Sequence, residues 1–220
     1  MTRSFAAAFA LLTFSISAAL AEVPREITWD NLVPPAAPLE NPFAHLTEDQ
    51  HYELTLIARA RADKKMGLIT EVSPEYEDAL EVTHKLKSEG IDVEGLLVKA
   101  TEVGAEIERR NQAVVSELEG QMVRMPGYAL PLEYSESGVK EFLLVPYIGA
   151  CIHVPPPPPN QIVFVRLDRE FMAEDLYTPV WITGRMSIQQ ASRSLSLVDG
   201  QSNIATGYTL DGITVEPYED

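Results

Sequence analysis

The stretch ELEGQMVRMPGYALPL, Glu117–Leu132, is where the chain changes character. Before it, apolar residues recur at helical spacing. From here on Pro, Gly, Tyr and β-branched residues become frequent and that spacing stops. The run predicts a long first β-strand, with Gly120 and Gly127 placed where a strand bends or bulges. Downstream, the same signals predict strands over 140–146, 161–167, 179–188 and 206–215. Five strands in about 100 residues leave no room for helical crossovers between parallel strands. The pattern therefore predicts a small Greek-key barrel of the OB type.

Working back toward the N-terminus, three helices are expected. Thr47 with Gln50 three residues on forms a capping-box pattern for a helix that runs to about Met66, where Gly67 stops it. Ser73 followed by Pro74 opens a second helix, with Tyr76, Ala79, Leu80, Thr83 and Leu86 on its apolar face and Gly90 at its end. Asp92 caps a third, in which Val93, Leu96, Leu97, Ala100, Val103 and Ile107 repeat at helical spacing to about Ala113. Residues 22–46 carry Pro24, Pro34, Pro35, Pro38 and Pro42, which exclude a regular helix. Within that arm the run Trp29-Asp30-Asn31-Leu32 has the look of an anchor that docks on the folded body. The expected organisation is α+β: a leader over 1–21, a proline-rich arm over 22–46, a helical segment over 47–115 and a β domain over 116–220.

The leader carries Arg3, an apolar run from Phe5, and Ala19-Leu20-Ala21 before Glu22, the pattern of a cleavable secretory signal peptide cut after Ala21. No cysteine follows the apolar run for lipid attachment, and no later stretch of about 18 apolar residues suggests a membrane span. The expected location is the periplasm. The chain has 17 Lys and Arg against 33 Asp and Glu, for a formal charge of −16. That balance argues against nucleic acid and anionic membrane surfaces as partners, because both recruit clustered basic residues. A single cysteine, Cys151, excludes an internal disulfide. In an oxidising compartment such a thiol is expected to be buried or occupied.

The most unusual local sequence is PYIGACIHVPPPPPNQ, Pro146–Gln161. Its first part, through Tyr147 and Gly149, reads as a strand end and turn. Cys151 and His153 follow with one residue between them, so in extended backbone they share a face and could meet one Zn(II) or Cu(I) ion. Two ligands are too few for zinc; His45, His51, Met122 or Met125 are the candidates to complete a site. The bland alternative is a buried thiol with a hydrogen-bonded imidazole, and a redox-active thiol is the third reading. Pro155, Pro156, Pro157, Pro158 and Pro159 predict a stiff polyproline segment of about 15 Å leading into Asn160 and Gln161. Such a segment serves either as a spacer or as a pre-ordered surface for a protein partner. Glu133, Glu136 and Glu141 cluster near a predicted turn, as expected in so acidic a chain. The sequence contains no serine-nucleophile elbow, HExxH or phosphate-binding glycine loop.

Four phrases, MPGYALPLE (Met125–Glu133), EFLLVPYIGACIHVPPPPPNQIVFV (Glu141–Val165), PVWITG (Pro179–Gly184) and the late TGY, together with Trp29–Leu32, resemble a bacterial exported family known as domain of unknown function 3299. The resemblance covers roughly 116–218 plus the arm. It implies a periplasmic accessory protein, since members often lie beside genes for ABC-type permeases and in some bacteria with zinc-responsive transport. The expectation is a non-enzymatic binding protein that engages an inner-membrane ABC-type transporter through the GACIHVPPPPPNQ loop, with no cofactor. The alternatives are a zinc- or copper-handling protein using Cys151 and His153, and a thiol-dependent enzyme.

Overall fold

The structure, a computed structural model, describes residues 22–132, 138–150, 156–173, 175–189, 191–197 and 200–218. The three helices form as their caps predict: α1 is Glu48–Lys65, α2 Pro74–Ser88 and α3 Val93–Gln112. Thr47 Oγ1 accepts from the Gln50 amide and Gln50 Oε1 accepts from the Thr47 amide, so two otherwise orphaned donors at the start of α1 are satisfied reciprocally. Asp92 Oδ1 accepts from the Gly95 amide at 3.0 Å and does the same for α3. Ser73 behaves differently. Its hydroxyl turns back to accept from the Thr70 amide at 2.9 Å, so Pro74 starts α2 without a side-chain cap.

Leu54, Ile57, Leu86, Val93 and Leu96 make a small core among the helices, with Phe43 and Leu46 of the arm packed against it. The apolar faces drawn from periodicity are only partly used. Leu80 and Ile107 remain exposed: α2 buries the face of Ala79, Thr83 and Leu86, which leaves Leu80 at its edge, and the C-terminal half of α3 leaves the cluster to reach the barrel.

Across the α1–α3 seam, Arg61 forks onto Glu94, with nitrogen–oxygen distances of 2.6 and 2.9 Å, and Lys87 adds a third contact at 3.2 Å. The Arg61 guanidinium, with Lys87 behind it, holds the Glu94 carboxyl at a pKa of about 2. A depressed carboxylate stabilises the fold above its unfolded value of 4.5 and loses that contribution as pH falls toward 2. Because the pair is more than half open to solvent on the Glu94 side, Glu94→Gln is expected to cost no more than about 1 kcal/mol near neutrality. Urea titrations should show the gap between variant and parent closing between about pH 5 and pH 2; a pH-independent gap would contradict the assignment.

The β domain is a closed barrel. Its strands are β2 Met122–Pro131, β3 Val139–Val145, β4 Val163–Phe171, β5 Thr178–Ser187 and β8 Tyr208–Pro217. Their order is β2-β3-β4-β8-β5, and β5 pairs back onto β2. All pairs round the barrel are antiparallel except β4–β8. Following partners from Ser187 through Thr209, Phe164 and Leu143 arrives at Leu130, one residue beyond the Ala129–Thr178 pair, so the ring closes with a stagger of about ten residues. β2 can belong to both edges because it is long, as Glu117–Leu132 led one to expect. The predicted five strands are therefore all present in a Greek-key barrel, with ends shifted by a few residues.

Two elements were not expected. β1, Arg25–Glu26, adds to β2 in parallel, and a hairpin of β6 (Ala191–Leu197) with β7 (Gly200–Thr206) forms its own two-stranded sheet. The hairpin sequence is rich in Ser and poor in β-branched residues, which hid it from a propensity reading. The barrel interior holds Met125, Phe142, Leu144, Val165, Ile182, Met186 and Leu210, and alternation along the strands sends Leu130, Leu143, Val145 and Phe164 to a second cluster outside. Ile204 of β7 and Tyr177 cover that outer cluster. A bulge falls between Thr183 and Gly184, where a Cβ on Gly184 would lie 2.4 Å from the Asp211 carbonyl oxygen, so only glycine lets β5 and β8 approach.

Candidate functional site

The singular stretch 146–161 is seen at its two ends. Cys151, His153 and Pro155, with Ile152 and Val154, lie outside the described residues. On the first side β3 ends at Val145, Pro146 is half-buried, and Tyr147 and Ile148 stand in solvent at a turn closed by Gly149, whose φ of 87° needs glycine. Ala150 then dives under the surface. Its carbonyl accepts a hydrogen bond from the Tyr177 hydroxyl at 2.6 Å. Tyr177 carries a φ of 63°, unusual for a bulky side chain, and is held there by burial of its ring in the outer cluster.

On the far side the geometry departs from a uniform rod. Pro156 is exposed, Pro157 buried and Pro158 extended (φ −60°, ψ 153°), but Pro159 begins a 3-10 turn, Pro159–Gln161. The expected extended segment therefore stops at Pro158, because the chain must turn inward to enter β4. Asn160 and Gln161, expected on the displayed surface, point into the molecule instead. Asn160 is 2% exposed, and its amide nitrogen donates to the carbonyls of Arg110 and Ala113 at 2.8 and 2.9 Å, satisfying the open end of α3. Gln161 Nε2 donates to the Trp29 carbonyl at 2.9 Å.

The Pro159 carbonyl accepts from the Gly207 amide at 2.7 Å, an approach that a Cβ on Gly207, 3.0 Å from the same oxygen, would obstruct. Next to it Tyr208, fully buried, donates its hydroxyl to the Leu32 carbonyl and accepts from the Val115 amide, both at 2.6 Å. Burial pushes the Tyr208 phenol above its ordinary pKa, so it keeps the proton it donates.

The separate sequence phrases thus meet at one joint. Trp29–Leu32 forms a 3-10 turn with Leu32 fully buried, and its anchor role is what the structure shows. Trp29 lies over Gly127 of β2, where a Cβ would be 2.8 Å from the indole. Pro159–Gln161 bonds to the arm, to the end of α3 and to the β7–β8 junction. The arm continues along α3, with the Ala37 carbonyl accepting from Arg110 Nη1 at 2.7 Å. The arm, the NQ pair and the TGY phrase stood out in the sequence, but neither the role of Tyr208, the tyrosine of TGY, in fastening the arm to the link after α3 nor that of Tyr177 in holding Ala150 did. Nothing local distinguishes a tyrosine whose partner is 176 positions away.

The proposed third metal ligands are dispersed. Met125 is enclosed in the barrel core, and His45 and His51 lie on the helical side, His51 against the Phe43 ring. Among the described residues no group of three or more His, Cys, Asp or Glu side chains is arranged to hold an ion. Of the three carboxylates near the β2–β3 turn, Glu141 is an exposed strand residue opposite Arg166, and Glu133 and Glu136 lie outside the described residues.

An OB-type barrel and a helical segment bridged by an N-terminal arm that is anchored through Ile27 and Leu32 is the class of protein these features define. The chain belongs to the family described as Protein of unknown function (DUF3299), whose model matches residues 29–217. A crystal structure of a DUF3299 family protein from Pseudomonas aeruginosa PAO1, at 2.45 Å resolution, is 31% identical. The match covers 90% of this chain and 98% of that one, with a TM-score of 0.50. No curated protein matches the chain. No helix among the described residues is long and apolar enough to cross a membrane.

Proposed function

We propose that the protein is a non-enzymatic periplasmic accessory module that binds an inner-membrane ABC-type transporter through the end of its barrel, with Tyr147, Ile148 and Pro156 at the contact. One observation carries this reading. The turn after β3 is fastened on both sides, by the strand that ends at Val145 and by the buried hydrogen bond from Tyr177 to the Ala150 carbonyl, while Tyr147 and Ile148 stay in solvent between them. A turn held in this way, Pro146–Gly149, is ordered before it meets a partner, so binding there sacrifices little conformational entropy. Apolar residues at a rigid, exposed turn are what a protein contact uses.

The test is a photocrosslinker placed at Ile148 of the exported protein, in cells that carry the neighbouring permease. The expected product is a crosslink to that permease, lost in Tyr147→Ala with Pro156→Ala and retained in Cys151→Ser with His153→Ala. The reverse pattern, with stoichiometric zinc or copper in untagged protein that disappears in Cys151→Ser, would replace this reading by metal handling. A reactive thiol without metal would point to a thiol enzyme.

A further inference from the structure

Away from the barrel, α1 and α2 lie side by side and leave an open groove of about 390 Å³ between them. The floor is low because the closing positions carry alanine. Ala60 and Ala79 are both nearly buried, and Leu56, Ile69 and Val82 complete an apolar lining. α3 packs on the buried ends of this pair and not over the groove, so the place a third helix would take along this seam is empty of protein among the described residues. The lining runs from Leu56 to Asp63 on α1 and from Glu75 to Val82 on α2, or about 10 Å at ~1.5 Å per residue. That is two turns of helix, enough for apolar side chains at positions i and i+4 of an incoming helix.

The rim sets the sign of what can enter. Asp63, Glu75 and Asp78 face the groove with a single cation, Arg59, which is engaged with Asp63 at 3.7 Å. Glu75 and Asp78 make no ion pair among the described residues. The connection that closes the hairpin continues the apolar surface outward: Met66, Leu68 and Val72 are each more than 60% exposed, flanking the groove residue Ile69. A solvated connection between helices ordinarily carries polar side chains, and apolar groups collected beside an apolar groove mark a contact surface.

We propose that the α1–α2 groove is a docking site for an amphipathic, positively charged helix of a partner protein, its apolar face on Leu56, Ile69 and Val82 and its lysines or arginines against Glu75 and Asp78. An apolar floor with a carboxylate rim matches the helix-in-groove mode of recognition. The surface is separate from the Tyr147–Pro156 contact, so the two can fail independently.

The probe is a synthetic 18-residue amphipathic helix of Leu and Lys, compared with a Leu and Glu peptide of the same pattern, titrated into the full exported chain at about 0.15 M salt, where bulk attraction is screened beyond ~8 Å. The Lys peptide should bind and the Glu peptide should not. Glu75→Lys with Asp78→Lys should weaken binding at least tenfold. Glu77→Lys with Glu81→Lys, the same charge change outside the groove lining, should leave it within twofold. Leu56→Arg, at a half-exposed position, should also abolish binding without unfolding the chain. Equal weakening by both double variants would mean attraction to net charge alone and would overturn the proposal. So would a concentration-dependent dimer dispersed by Leu56→Arg, which would make the groove a contact between copies.

Discussion

Tyr208→Ala is expected to lower the free energy of unfolding by about 3–5 kcal/mol, as removal of a large buried aromatic does. Tyr208→Phe is the sharper experiment. It keeps the ring in the barrel core and removes only the oxygen that serves two backbone groups, the Leu32 carbonyl and the Val115 amide. Each is left without its partner where water has little access, and the cost of such an orphan is about 1–3 kcal/mol. The urea midpoint of the phenylalanine variant should fall by about 1 M or more, with the slope unchanged. A midpoint within about 0.2 M of the parent would show that water replaces the phenol and that the joint is not sealed. Because Leu32 belongs to the arm and Val115 to the link after α3, the same variant should also raise amide exchange in both segments, far apart in sequence.

Asn160→Leu is the second large effect. The side chain is nearly isosteric, so packing changes little, while two hydrogen bonds to the last carbonyls of α3 are lost and the acceptors stay covered. The expected cost is about 2–4 kcal/mol. Its distribution matters more than its size. Hydrogen exchange should rise in the last turn of α3 and at the amides of Asn160, Gln161 and Ile162, and much less in β3, whose exit is held separately by Tyr177. A uniform rise over the whole barrel would mean that Asn160 belongs to the global core, not to the hinge between helical segment and barrel.

The elements of this fold were legible where the chemistry is local. Thr47 with Gln50 and Asp92 with Gly95 fix helix starts through bonds that span three residues, and Gly67 and Gly90 end helices through a left-handed φ that suits glycine. Strand positions followed from the β-branched and aromatic residues and the Pro and Gly punctuation over 117–132, 161–167 and the other runs, which mark extended segments locally. The hairpin over 191–206 was missed for the complementary reason. Its residues pair with each other and carry no strong strand preference, so only the finished barrel gives them a surface to cover.

The candidate site was legible as a peculiarity and not as a geometry. PYIGACIHVPPPPPNQ stood out by composition, yet composition does not say which side chains face water. Tyr147 and Ile148 turn outward and Asn160 inward, although hydropathy alone would assign them the other way. Asn160 is inside because α3 ends there with carbonyls that need a donor, and Tyr147 is outside because Gly149 turns the chain before the ring can fold under.

By itself, then, the amino-acid sequence determined the class of structure, three helices followed by a five-stranded barrel, together with a strongly acidic surface and the place of the unusual segment. Those properties depend on neighbours along the chain, where caps, turns and strand-favouring residues act over a few positions. Tertiary structure alone decided that the arm, the PNQ turn, the end of α3 and Tyr208 form one joint, and that α1 and α2 leave an acidic-rimmed groove between two alanines. Both arise from contacts between residues dozens of positions apart, whose meeting is set by barrel closure and helix packing and leaves no periodic trace in the chain.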